Sequence, residues 1–90
     1  MSKPLRVYGF RRLDHPHTFP TWVARTVGGQ AVLIELARGS LRIGVGKTLL
    51  YAMYNANTNP TLCKWLPCTT GDMLTLTDVA ELANLEIVAQ

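Results

Sequence analysis

Acidic residues are scarce through most of this 90-residue chain. Up to Lys64 only Asp14 and Glu35 carry negative charge, against all nine lysines and arginines, which leaves nine minus two, or +7. Residues 65–90 hold Asp72, Asp78, Glu81 and Glu86 and no base, or −4, for the net of +3. Such polarity creates a basic surface for nucleic acid or an acidic protein if the two halves lie apart, and cancels if they lie side by side. Cysteine is also sparse: two residues cannot support a disulfide scaffold. Long apolar runs are absent. The strongest, Ala31 to Ile34, is broken by Glu35 and falls far short of a membrane span. The opening Met1 to Arg12 interleaves its charges with Val7, Tyr8 and Phe10, without the apolar block of a secretory signal, so a cytoplasmic location is expected.

What is present describes a folded chain. The residues are 48% apolar and 17% charged, enough apolar surface to offset the entropy of ordering. The length admits one core, so residues 1–90 are expected to form a single domain. Leu5 to Leu13 alternates as a strand, with Arg6, Tyr8, Phe10 and Arg12 on one face. Asp14 to Pro20 contains two prolines and reads as a surface loop. Thr21 to Val27 and Gln30 to Ala37 flank Gly28-Gly29, a pair suited to the positive φ angles of a two-residue hairpin. The second of these strands is apolar on both faces and is expected at the middle of the sheet. Arg38-Gly39-Ser40 turns into a strand at Leu41 to Val45.

Beyond Thr48 the sequence LLYAMYN favours a short helix ending at Asn55, although Leu49, Tyr51 and Met53 also alternate as in a strand. Asn55 to Pro60 is a turn cluster, and Thr61 to Gly71 a loop with a short element around Trp65. Thr75 and Asp78 have capping-box spacing ahead of a helix with Val79, Leu82 and Ala83 on one stripe, and Thr77 is an alternative cap. Asn84 offers an exit into a last strand, Leu85 to Ala89. The expected architecture is α+β: a small antiparallel sheet of about four to five strands, with one or two short helices packed on one face.

Four groups of residues raise chemical questions. Gly44-Val45-Gly46-Lys47-Thr48 matches the end of a phosphate-binding loop, but the glycine required five residues before Gly46 is Leu41, and the chain is too short for the parallel sheet such loops serve. The two glycines fit a strand bend or turn better. His15, His17, Cys63 and Cys68 offer zinc-ligand types, and a cysteine with a histidine offers a nucleophile and a base. Yet Cys-x4-Cys and His-x-His are unlike most structural zinc spacings, and no oxyanion site is indicated. A strand face of Arg6, Tyr8, Phe10 and Arg12 mixes rings and guanidinium groups as single-strand binders do, and Arg25, Arg42 and Lys47 would extend it; the same rings serve equally as core. His15, His17, Phe19 and Trp22 fit a partner-contact loop, because prolines restrict the free chain and aromatics supply contact area at low entropic cost.

These signals lead to a non-enzymatic interaction or regulatory protein that recognises a macromolecule, in the first instance a protein, without a cofactor. Its partner-binding residues would be Arg6, Tyr8, Phe10, Arg12, His15, His17, Phe19 and Trp22. The alternative is a nucleic-acid-binding module using residues 5–13. The third is a small metal-binding protein or hydrolase using His15, His17, Cys63 and Cys68. No membrane association is expected, and a homodimer is expected through the apolar terminal strand Leu85 to Ala89. If the phosphate-loop resemblance is accidental, ATP with magnesium leaves the melting temperature of the protein unchanged. A stabilisation by ATP that Lys47→Ala abolishes would reverse that expectation.

Overall fold

The structure, a computed structural model, describes residues 3–13, 20–37, 40–58, 63–65 and 75–89. Its chain order is β1 (Leu5–Arg12), β2 (Thr21–Thr26), β3 (Ala31–Ala37), β4 (Ser40–Gly46), α1 (Leu49–Thr58), β5 (Cys63–Trp65), α2 (Leu76–Leu82) and β6 (Leu85–Ile87). The strands make one sheet in the order β5-β4-β3-β2-β1-β6. The expected α+β class holds, with six strands because both edges are three-residue strands. The sheet is mixed: β6 runs parallel to β1, and every other pair is antiparallel. β3 lies inside the sheet, as its two apolar faces require.

Alternation sorts each strand into two faces. On one, Val7, Trp22, Ala24, Val32, Ile34, Leu36, Leu41 and Ile43 form a core with Val79 and Ala83 of α2. On the other, Val23, Ala31 and Leu33 pack with Ala52 and Ala56 of α1. The helices therefore sit on opposite faces rather than together. β3 supplies both cores, which is why a charge interrupts it only at Glu35, near its end.

The β2–β3 hairpin differs in detail from the expected two-residue turn. Its loop is Val27-Gly28-Gly29, closed by Gly29 N–H donating to Thr26 O at 2.9 Å and by Gln30 N–H donating to Thr26 Oγ1 at 2.9 Å. Only Gly29 has positive φ, at 93°. The Thr26 side chain replaces the second left-handed residue as the device that turns the chain.

α2 starts as expected. Asp78 N–H donates to Thr75 Oγ1 at 3.1 Å, and Thr75 N–H donates back to Asp78 Oδ2 at 3.1 Å. Asn84 leaves the helix at φ 57° and its carbonyl accepts from Leu5 N–H, stitching α2's exit to β1. α1 runs three residues past the expected stop, because Asn55 is not a terminator: its Nδ2 donates to Val45 O on β4 at 2.7 Å.

Gly44 and Gly46 owe their identity to α1. A Cβ on Gly44 would stand 2.0 Å from Ala52 O and 2.4 Å from Ala56 N; one on Gly46 would meet Ala52 N at 2.8 Å. The helix backbone lies directly on the strand, and Ala52 and Ala56 are small enough to allow it. Thr48 starts the helix by accepting from Tyr51 N–H at 3.3 Å. The Gly-x-Gly-Lys-Thr string is thus a strand–helix packing seam, with no phosphate needed to explain it.

Gly44→Ala should cost about 3 kcal/mol or more, since its methyl meets backbone that must move. Gly28→Ala, whose Cβ would stand 3.8 Å from Thr26 Oγ1 at ordinary φ, should be neutral or stabilise by roughly 0.5 kcal/mol. Urea unfolding of the two variants tests the contrast; equal midpoints would refute the seam.

Candidate partner-binding surface

The strand face assembled from alternation does not exist as one face, and the reason is a single glycine. Tyr8 pairs with Arg25 and Arg11 with Val23, so three steps on β1 span two on β2. Gly9 has φ 67°, the geometry of a bulge whose first residue is a left-handed glycine. Past this extra residue the faces exchange. Arg6, Tyr8 and Arg11 turn to the α1 side, while Phe10 and Arg12 turn to the α2 side. The expected grouping of Arg6, Tyr8, Phe10 and Arg12 is therefore divided into two pairs on opposite faces.

The members meet different fates. Phe10 is half-buried against the α2-side core. Trp22, assigned by its sequence position to a partner-contact loop, is 1% exposed and belongs to that core, which corrects the expectation. Arg12 lies over the Trp22 ring with its Cζ 5.8 Å from the centroid, a cation–π contact. Arg6 pairs with Glu86 on β6, Nε to Oε2 at 3.3 Å, both side chains solvent-exposed. His15, His17, Phe19 and Cys68 lie outside the described residues, and Cys63 is described as backbone of β5. Among the described residues no three histidine, cysteine or carboxylate groups gather as a metal site.

Alternation does not reveal the larger surface, which is the outside of α1. The helix reads LLYAMYNANT and contains no charged residue. An ordinary surface helix is polar outside, and one that is apolar all round is normally covered. Here only Ala52 and Ala56 are buried. Leu50 is 69% and Tyr54 61% exposed, and Leu49, Tyr51 and Met53 are exposed beside them. The exposed polar side chains near the C-terminal end bond the helix's own carbonyls: Asn57 Nδ2 donates to Met53 O at 3.0 Å and Thr58 Oγ1 to Tyr54 O at 2.8 Å.

Cations border this patch. A depression of about 180 Å³ beside Leu49 is lined by Tyr8, Arg11, Val23 and Arg25. Arg11 and Arg25 are exposed, and Arg25 Nη1 donates to Gly29 O at 3.2 Å, which holds the guanidinium along the hairpin. Lys47, also exposed, stands just before the helix and lines a second depression with Tyr51 and Asn55. Among the described residues the acids on this face have basic neighbours: Glu35 sits opposite Arg42 across β3–β4, and Glu86 beside Arg6. The result is an apolar, aromatic surface with a basic border. Of the residues expected to bind a partner, Tyr8 borders it. A hydrophobic stretch without charge between Thr48 and Asn59 was the available signal in the sequence, and helix-versus-strand ambiguity hid its meaning.

The division of β1 has a measurable consequence. Phe10→Ala should destabilise by about 2–3 kcal/mol, less than a fully buried ring because Phe10 is partly exposed. Tyr8→Ala should cost under about 1 kcal/mol. Similar losses at both positions in urea unfolding would contradict the bulge. No family model, curated protein or solved structure matches this chain.

Proposed function

We propose that this chain is a non-enzymatic, cytoplasmic interaction protein that recognises a protein partner through the outer face of α1. The observation that carries the reading is an uncharged helix whose large side chains, Leu50, Tyr51, Met53 and Tyr54, face solvent. With Leu49 these make five residues that expose on the order of 500 Å², taking about 200 Å² per large side chain. That is the size of the largest patch on a typical monomer, which is often functional. Tyrosine and methionine suit recognition: the ring carries area at low entropic cost, and the thioether adapts to irregular surfaces. Arg11, Arg25 and Lys47 at the border select a partner with acidic groups around an apolar centre and raise its rate of encounter. No helix among the described residues is long and apolar enough to cross a membrane.

The nucleic-acid reading loses its main support with the division of Phe10 and Arg12 from Arg6 and Tyr8, because stacked bases need rings on one continuous track.

A photo-crosslinking residue at position 54, introduced in the native host, should capture a partner that the same residue at the exposed hairpin position 27 does not. Adding Leu50→Glu should cut that capture at least about tenfold, a loss near 1.4 kcal/mol. The melting temperature should hold within about 3 °C, as for an exposed site. Undiminished capture would reject the α1 face. Single-stranded RNA binding with a steep salt slope, lost in Tyr8→Ala and Arg11→Ala, would replace the proposal with its nucleic-acid rival.

A further inference from the structure

The sheet carries a second apolar depression, on the face away from α1. Where α2 meets β1 and β6, a groove of about 340 Å³ is lined by Phe10, Leu76, Ala80, Leu85 and Ile87, with Glu81 on its wall. Ile87 is 50% exposed and Leu76 44%. The charge here is opposite to that around α1. On this side α2 carries Asp78 and Glu81, with Glu81 lining the groove; Glu86 lies on the α1 side beside Arg6, and Arg12, a cation on the groove side, lies over the Trp22 ring. α1 holds no acid and has Arg11, Arg25 and Lys47 beside it.

Two apolar surfaces of opposite charge on one chain raise the question of whether they fit each other. Like-with-like pairing of two copies is opposed. A two-fold contact between α1 faces brings the basic borders together, and a contact between grooves brings Glu81 against Glu81. An antiparallel pairing of two β6 edges centred on Glu86 sets two carboxylates opposite, which is destabilising. The unlike contact has neither fault. The convex ridge of Leu50 and Tyr54, one turn apart on α1, enters a concave apolar groove, and Arg11, Arg25 and Lys47 meet Asp78 and Glu81 of α2. With rim contacts added to about 500 Å² of apolar patch, each side approaches the roughly 800 Å² per partner of a standard interface.

We propose that the partner of the α1 face is the α2–β6 groove of a second copy of this chain. The inference rests on the α1 face being a recognition surface and names what it recognises. The two surfaces lie on opposite faces of the sheet, α1 over β3 and β4 and the groove at β1 and β6. Neither copy's remaining surface is consumed, so the contact is heterologous and repeats as an open head-to-tail chain instead of closing as a two-fold dimer.

The test uses two blocked variants. Leu50→Glu with Tyr54→Glu spoils the α1 face and leaves the groove; Glu81→Lys with Ile87→Lys spoils the groove and leaves the α1 face. In sedimentation velocity at tens to hundreds of micromolar, the wild type should grow steadily in mass with concentration. The association should weaken about tenfold or more between low salt and about 0.5 M salt, where charges are strongly screened. Each variant alone should remain at the 10.0 kDa of one chain. Their mixture should form a 1:1 complex and nothing larger, because only one productive contact remains. A monomeric wild type at low salt, a wild type that stops at a dimer, or a mixture that stays monomeric would each overturn the proposal. The wild-type result stands even if a variant fails to fold, which circular dichroism would reveal. If the wild type is monomeric while the position-54 crosslink still captures another protein in a Leu50-dependent way, self-association fails and the α1 recognition surface survives. If that capture also fails, both fall.

Discussion

The contact of α1 with β4 governs the rest of the molecule. Gly44 and Gly46 remove the side chains that would hold a helix at ordinary distance, and Ala52 and Ala56 present the smallest helical surface able to fill the gap. Asn55 bonds Val45 O across the same seam and fixes the helix in rotation. A helix that meets its sheet with alanines has little room for large residues on that side. Leu50, Tyr51, Met53 and Tyr54 are turned outward as a result, so the tight seam and the exposed patch are two sides of one packing decision. The surface offered for recognition exists because the interior contact is made of small residues.

Gly9 makes the second structural decision. By inserting one residue into β1, its bulge gives the first half of the strand one pair of faces and the second half the reverse. Phe10 is delivered to the core beside α2, and Arg11 is delivered to the border of α1. Had the strand run without the bulge, Phe10 would share a face with Tyr8. The basic border of the α1 patch therefore depends on a backbone feature, not only on the number of arginines in the chain. The acidic segment reaches the far edge of the sheet through the parallel pairing of β6 with β1. The acids of α2 come to lie on the face away from α1, while Glu86 of β6 lies on the α1 side, where Arg6 offsets it.

Much of the fold was determined by the sequence alone, where the determinants are local. The strands at Thr21 to Val27 and Gln30 to Ala37 rest on β-branched and apolar runs around a glycine pair, and the start of α2 rests on Thr75 and Asp78, which bond each other within one turn. The exit at Asn84 and the central place of β3 follow in the same way, from a residue tolerant of positive φ and from a strand apolar on both faces. Tertiary structure decided what local patterns leave degenerate. Residues 49–58 alternate as well as they coil, and the choice was made by the seam on Gly44 and Gly46, whose partners lie on another element. Trp22 became core because β2 is covered there, and Phe10 parted from Tyr8 because one glycine took a left-handed turn. Which face a side chain takes depends on register, and register is set by partners distant in the sequence; that is why the residues of β1 were legible and their grouping into a surface was not.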